Sequence, residues 1–198
     1  MKAIVCKSYG PPENLVLEDI DDPVASENEA IVKVYSASLN FPDGLQIQGK
    51  YQFKPPMPFT PGSEVGGIIS SVGAGLQGFS VGDRVMATPG IGCLAEQVAV
   101  KADGLRKIPD SMDFKTAAGF AMIYTTSYYA LKQRAQLKPD ETLLVLGASG
   151  GVCLAAVEVG KVMGARVVAA ASPDEKLGCV ERLPLDAPFT HCDGGIDV

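Results

Sequence analysis

One histidine, His191, is present in 198 residues, so any mechanism that needs two imidazoles is excluded. Five cysteines (6, 93, 153, 179 and 192) form no C-x-x-C pair and are odd in number, so neither a disulfide framework nor a zinc knuckle fits. A reducing, cytoplasmic interior suits that usage. No block of lysine or arginine exists. Seventeen basic against twenty-three acidic side chains give a formal charge of −6, which argues against binding a nucleic-acid backbone. No apolar run is long enough for a membrane. The uncharged stretch Thr116 to Leu131 carries Thr, Ser and three Tyr and falls short of a span, and the apolar run after Met1 is too short for a secretory signal. What is present is globular: 46% hydrophobic and 20% charged residues, at a length that can bury a sizeable core.

Hydrophobic period divides the chain. From residue 1 to 112 the pattern is of short strands: Ala3–Val5, Leu15–Leu17, Ala30–Val34, Ile68–Val72, Arg84–Met86 and Gln97–Val100. Gly, Pro and Asp punctuate them, as in a compact barrel or sandwich. From 113 to 198 the period changes. Asp113 to Gln136 reads mostly helical, and Thr142–Leu146 reads as a buried strand followed by Gly147-Ala148-Ser149-Gly150-Gly151. Next, Val152, Ala155, Ala156, Val159 and Met163 lie on one helical stripe, Gly164 is placed to end that helix, and Arg166–Ala171 is a second buried strand. Strand, glycine loop, helix and strand in about thirty residues predict a right-handed βαβ unit.

Two glycine motifs compete for a phosphate. Gly73-Ala74-Gly75-Leu76-Gln77-Gly78 has the regular G-x-G-x-x-G spacing, but the residues after it lead into another strand. An anion needs the glycines to open a helix, whose free N–H groups and positive dipole end hold it. Residues 73–78 are therefore expected to be a plain loop. Gly147 to Val152 has the right context, and Gly147, Ser149, Gly150, Gly151 and Val152 are the expected pyrophosphate cradle. A tight turn that binds nothing is the alternative. Cys153 occupies the third position of the G-x-x-G-x-x-G spacing, where a small residue lets helix and strand approach. Where NAD would need a carboxylate, the sequence has Ala171-Ser172-Pro173 and then Lys176. A hydroxyl and an ammonium suit a 2′-phosphate, so NADPH is preferred. Ser172 also suits a helix N-cap.

The order Ser38-Leu39-Asn40-Phe41-Pro42-Asp43, Gly49-Lys50-Tyr51-Gln52, Pro58–Glu64, Val81–Val85, Tyr124–Tyr128 and the glycine loop resembles the zinc-free quinone oxidoreductase branch of the medium-chain dehydrogenase/reductase superfamily. The resemblance runs from residue 1 to about 177. It implies α/β plus β architecture: a GroES-like β-barrel domain, then a partial Rossmann domain with a doubly wound parallel sheet. It also implies a small-molecule substrate and a homodimer. Asn40, Asp43, Tyr51 and Thr126 would line the cleft, with Asn40 and Thr126 near the nicotinamide, Asp43 and Tyr51 on the substrate, and Tyr51 as hydrogen-bond donor. Asn40 could instead start a short helix, and Tyr51 could be packing.

Zinc-dependent relatives carry ligands where this sequence has Asn40 and Ser63, neither of which replaces thiolate or imidazole. No metal is expected. Hydride transfer from NADPH to a quinone or an α,β-unsaturated carbonyl needs none, because charge delocalises onto an oxygen that a hydrogen-bond donor can stabilise. Only two convincing strands of the expected six-stranded sheet are present, and Pro184 and Pro188 fit regular helix poorly. A truncated form is therefore expected, with an exposed sheet edge prone to self-association. The alternative to an active reductase is a catalytically silent protein that binds NADPH or dimerises.

Overall fold

The computed structural model describes residues 1–171 and a strand at Ala187–Thr190. Ser172, Lys176, Cys179, Pro184, His191 and Cys192 lie outside the described residues. The chain forms two compact units, Met1–Ala121 and Met122–Val198.

The first unit is a curled antiparallel sheet. Its strands are β1 (Lys2–Val5), β2 (Val16–Asp19), β3 (Glu29–Ala37), β4 (Val65–Val72), β5 (Arg84–Ala87), β6 (Gln97–Lys101) and β7 (Leu105–Lys107). Five of them pair in the order β6-β3-β4-β5-β7, while β1 and β2 make a separate hairpin. Register shifts between Ile31 and Val32 and between Val34 and Ser36 mark bulges, which bend and twist the long strand β3. The buried face gathers Val32, Val65, Ile69, Val85, Val98, Val100 and Leu105 into one core. Residues 73–78 are a connection between β4 and β5, with no helix after them.

Two short helices belong to this unit. Helix α1 (Phe41–Ile47) follows Asn40, and α2 (Phe114–Ala118) packs on β3, β4 and β5. The close approach of α2 requires Gly66, because a Cβ there would lie 2.4 Å from the Phe114 carbonyl oxygen. Arg84 fixes the chain entering α2: its guanidinium donates to the carbonyls of Pro109, Asp110 and Met112 at 3.1, 2.8 and 2.5 Å and lies over the Phe114 ring. The compact unit thus extends past the change of period at Asp113.

The second unit begins with α3 (Ala121–Tyr128), which runs into a π-helical segment at Tyr129–Arg134. Strand β8 (Thr142–Leu146), helix α4 (Gly151–Val162) and strand β9 (Arg166–Ala171) follow, with β8 and β9 parallel. Gly164 has a φ of 85°, the left-handed turn expected after the helix. A third parallel strand, β10 (Ala187–Thr190), pairs with β9 on the far side, giving the order β10-β9-β8. The sequence pattern shows only two strands here. Pro188 masks β10, since proline has no N–H for a ladder and is tolerated only on an edge.

Candidate functional site

In the second unit the glycine loop joins β8 to α4. Gly147 leaves β8 with a φ of 67°, and no atom lies within 4 Å of a Cβ built there. The loop is tied down by Ala148 N–H donating to the Ala170 carbonyl at 2.9 Å and Gly150 N–H to that of Gly147 at 3.0 Å. Gly150 is the N-cap of α4, and Leu154 N–H to Gly150 C=O, at 2.8 Å, closes its first turn. The amides of Gly151, Val152 and Cys153 precede that bond, at the positive end of a twelve-residue helix. Open backbone at Gly147 and a turn of N–H donors fit a diphosphate.

Close packing of this helix comes from a position that sequence reasoning misses. A Cβ on Gly160 would lie 2.6 Å from Leu143 Cδ2 and 3.2 Å from Val167 Cγ2, so Gly160 brings α4 down onto β8 and β9. Cys153 packs, partly buried, against the core of Val145, Val157 and Val167. Ser127 adds a brace by donating to the Val152 carbonyl at 2.6 Å. Glu158, off the apolar stripe, is hydrogen-bonded by the Tyr124 hydroxyl. Burial, and then that bond, pushes the Tyr124 phenol up to about 12. Thr126, on α3, is exposed and donates to its own helix at the Met122 carbonyl, 2.6 Å away.

In the first unit Asn40 and Asp43 meet two residues that sequence reasoning does not single out, Ser38 and Glu64. Asn40 does start a helix: Asp43 Oδ2 accepts its backbone N–H at 2.7 Å. Its side-chain amide also donates to Ser38 Oγ at 2.9 Å, to Glu64 Oε1 at 3.0 Å and, more weakly, to Ser63 Oγ at 3.4 Å. Ser38 Oγ donates to the same Glu64 oxygen at 2.7 Å. Asp43, Ser63 and Glu64 are all buried. Burial, foremost, pushes the Asp43 carboxyl above its ordinary value, and the Glu64 charge adds to it. The thiol of Cys93, fully buried, is driven up by desolvation and by the same two carboxyls.

Asn40 and Asp43 line one cavity of about 520 Å³, together with Leu39, Gly44, Ile47 and Leu94. Tyr51, half-buried, is not among its lining residues. Glu64 carries a weak sequence signal, a carboxylate directly before an apolar strand. Ser38 carries none. Among the described residues no group of three or more His, Cys, Asp or Glu side chains is arranged to hold a metal ion.

Comparison with known proteins agrees with this layout. Residues 26–110 match the alcohol dehydrogenase GroES-like domain. The chain is 40% identical over 196 residues to the quinone oxidoreductase-like protein 2 homolog of Nematostella vectensis, covering 96% of this chain and 52% of that protein. It is 36% identical over 193 residues to the quinone oxidoreductase of Homo sapiens, covering 96% and 59%. The quinone oxidoreductase of Thermus thermophilus, solved also in complex with NADPH, superposes with a TM-score of 0.85 at 38% identity, over 96% of this chain and 60% of that one. The chain spans about half the length of the curated relatives it matches. Along nearly all of its own length, then, this chain is similar to proteins named quinone oxidoreductases, and residues 26–110 within it match the alcohol dehydrogenase GroES-like domain.

Proposed function

We propose that the chain is part of an NADPH-dependent oxidoreductase that passes hydride to a quinone or an α,β-unsaturated carbonyl without a metal. One observation carries the reading: a glycine loop, open at Gly147, that joins a half-exposed parallel strand, not the buried one the sequence pattern predicts, to the free amides of a helix. The NADPH complex of the similar Thermus thermophilus protein supports the choice of cofactor. Gly147, Ser149, Gly150, Gly151 and Val152 hold the diphosphate, and Ser172 and Lys176 take the 2′-phosphate. Bound there, NADPH supplies the hydride. Asn40 and Thr126 orient the nicotinamide, and Tyr51 donates to the acceptor's oxygen. The donor chemistry at Asn40 and Ser63 favours a metal-free reaction, since a neutral amide and a hydroxyl are weak partners for zinc.

In this reading residues 1–112 form the GroES-like substrate domain and residues 113–198 part of a Rossmann domain in a cytoplasmic enzyme. NADPH fluorescence titration, followed by turnover of 9,10-phenanthrenequinone, tests it. Saturable enhancement with turnover is expected, and absence of binding rejects it. A second reading, a silent NADPH-binding or dimerising protein, is favoured by Leu144 and Leu146, which are 48% and 56% exposed on the edge strand β8. Binding without turnover selects that reading.

A further inference from the structure

The far end of α4 carries a chemistry different from that of the glycine loop. A hollow of about 240 Å³ is lined by Tyr124 and Tyr128 of α3, by Glu158, Val159 and Val162 of α4, and by Met163, which caps that helix. Tyr124 and Tyr128 are four residues apart and share one helix face. The Tyr124 hydroxyl donates to Glu158, which anchors its ring. Tyr128 is 50% exposed and Glu158 only half-buried, so a ligand from solvent reaches both. Among the described residues no Lys or Arg forms an ion pair with Glu158, and Lys161 does not line the hollow. The C-terminal end of a twelve-residue helix adds partial negative charge at the same place. A wider hollow of about 520 Å³ shares Tyr124, Tyr128 and Val159 and adds Thr125, Tyr129 and Gln133, none of them charged. Tyr129 opens the π-helical segment, a distortion that is frequent at functional sites.

We infer that these two hollows bind a small soluble molecule carrying a quaternary ammonium group and a neutral polar tail. A quaternary ammonium has no N–H to donate, so aromatic rings and negative potential hold it rather than paired acceptors. Tyr124 and Tyr128 supply the rings, Val159 and Met163 meet the methyl groups, and Glu158 with the helix end supplies the potential. A primary ammonium is strongly hydrated and would find one carboxylate for its three donors, so it is disfavoured. Thr125, Tyr129 and Gln133 offer hydroxyls and an amide to the tail. A phosphate on that tail, as in a lipid headgroup, would meet no cation in either hollow and would lie near the Glu158 charge, which favours a free small molecule. The site uses the opposite end of α4 from the nucleotide loop and is independent of the reaction proposed above.

The test titrates the protein, without NADPH, with choline and with its neutral isostere 3,3-dimethyl-1-butanol. Choline is expected to bind about tenfold tighter, and its N-methyl proton resonance to move upfield as the tyrosine rings shield it. Tyr128→Leu keeps an apolar wall without the ring and should bring the two affinities together. Glu158→Gln keeps an acceptor for the Tyr124 hydroxyl but loses the charge, so the preference should fall severalfold. Equal affinities in the wild type, no binding of choline, or an undiminished preference in Tyr128→Leu overturns the inference. Should Tyr128→Leu not fold, an undiminished preference in Glu158→Gln overturns it equally. Phosphatidylcholine vesicles that bind the chain where free choline does not would also overturn it, by placing the group on a lipid.

Discussion

Asp43 shows how one residue joins helix start, burial and proton affinity. Its Oδ2 caps Asn40, its carboxyl is buried beside Glu64, and its proton affinity is raised mainly by desolvation. A carboxyl that holds its proton more tightly folded than unfolded stabilises the fold below the unfolded value of 3.8, and that stability is lost as pH rises through the raised folded value. Asp43→Asn mimics the protonated form. Urea unfolding across pH is expected to show the variant more stable than wild type at neutral and alkaline pH, with the gain vanishing in acid. Tyr124 obeys the same sign at the other end of the scale: its phenol is held at about 12 against an ordinary 10.0, so stability should fall between those values as the folded form resists ionisation. In Tyr124→Phe that fall should be reduced. The sequence shows Asn40 and Asp43 as a pair but not their partners. Ser38, Ser63 and Glu64 converge through the pairing of β3 with β4, in which Ala37 sits opposite Val65. No local spacing encodes such a contact.

At the scale of elements, glycines without a motif matter as much as the glycine loop. Gly147 and Gly164 are legible because left-handed turns sit at predictable ends of strands and helices. Gly66 and Gly160 are not, because their role is to admit a neighbour distant in sequence. Gly66→Ala pushes a methyl into the backbone oxygen of Phe114, which cannot swing aside as a side chain can. Denaturant unfolding should show a loss of about 1–3 kcal/mol. Gly160→Ala meets the movable end of Leu143 and should lose less. The longer strands are readable from β-branched runs. Strand β7, three residues long, and β10, containing Pro188, are hidden by brevity and by the missing proline donor.

For the whole molecule, the sheet of the second unit covers one face of β8 better than the other. Leu143 and Val145 turn toward the α4 core, while Leu144 and Leu146 alternate onto the opposite, half-exposed face. Exposed apolar strands on an edge drive association. Self-association in size-exclusion chromatography is expected, and Leu144→Asp with Leu146→Asp should shift the population toward monomer while preserving the circular dichroism of the fold.

Nucleotide binding at the start of α4 is the claim on which the functional account stands. The direct measurement is a ¹⁵N-resolved amide spectrum of the chain titrated with NADPH. Resonances of Gly151, Val152 and Cys153 are expected to move together and saturate at one equivalent of nucleotide. If those three stay fixed while NADPH is added to excess, the diphosphate does not bind there and the account is contradicted.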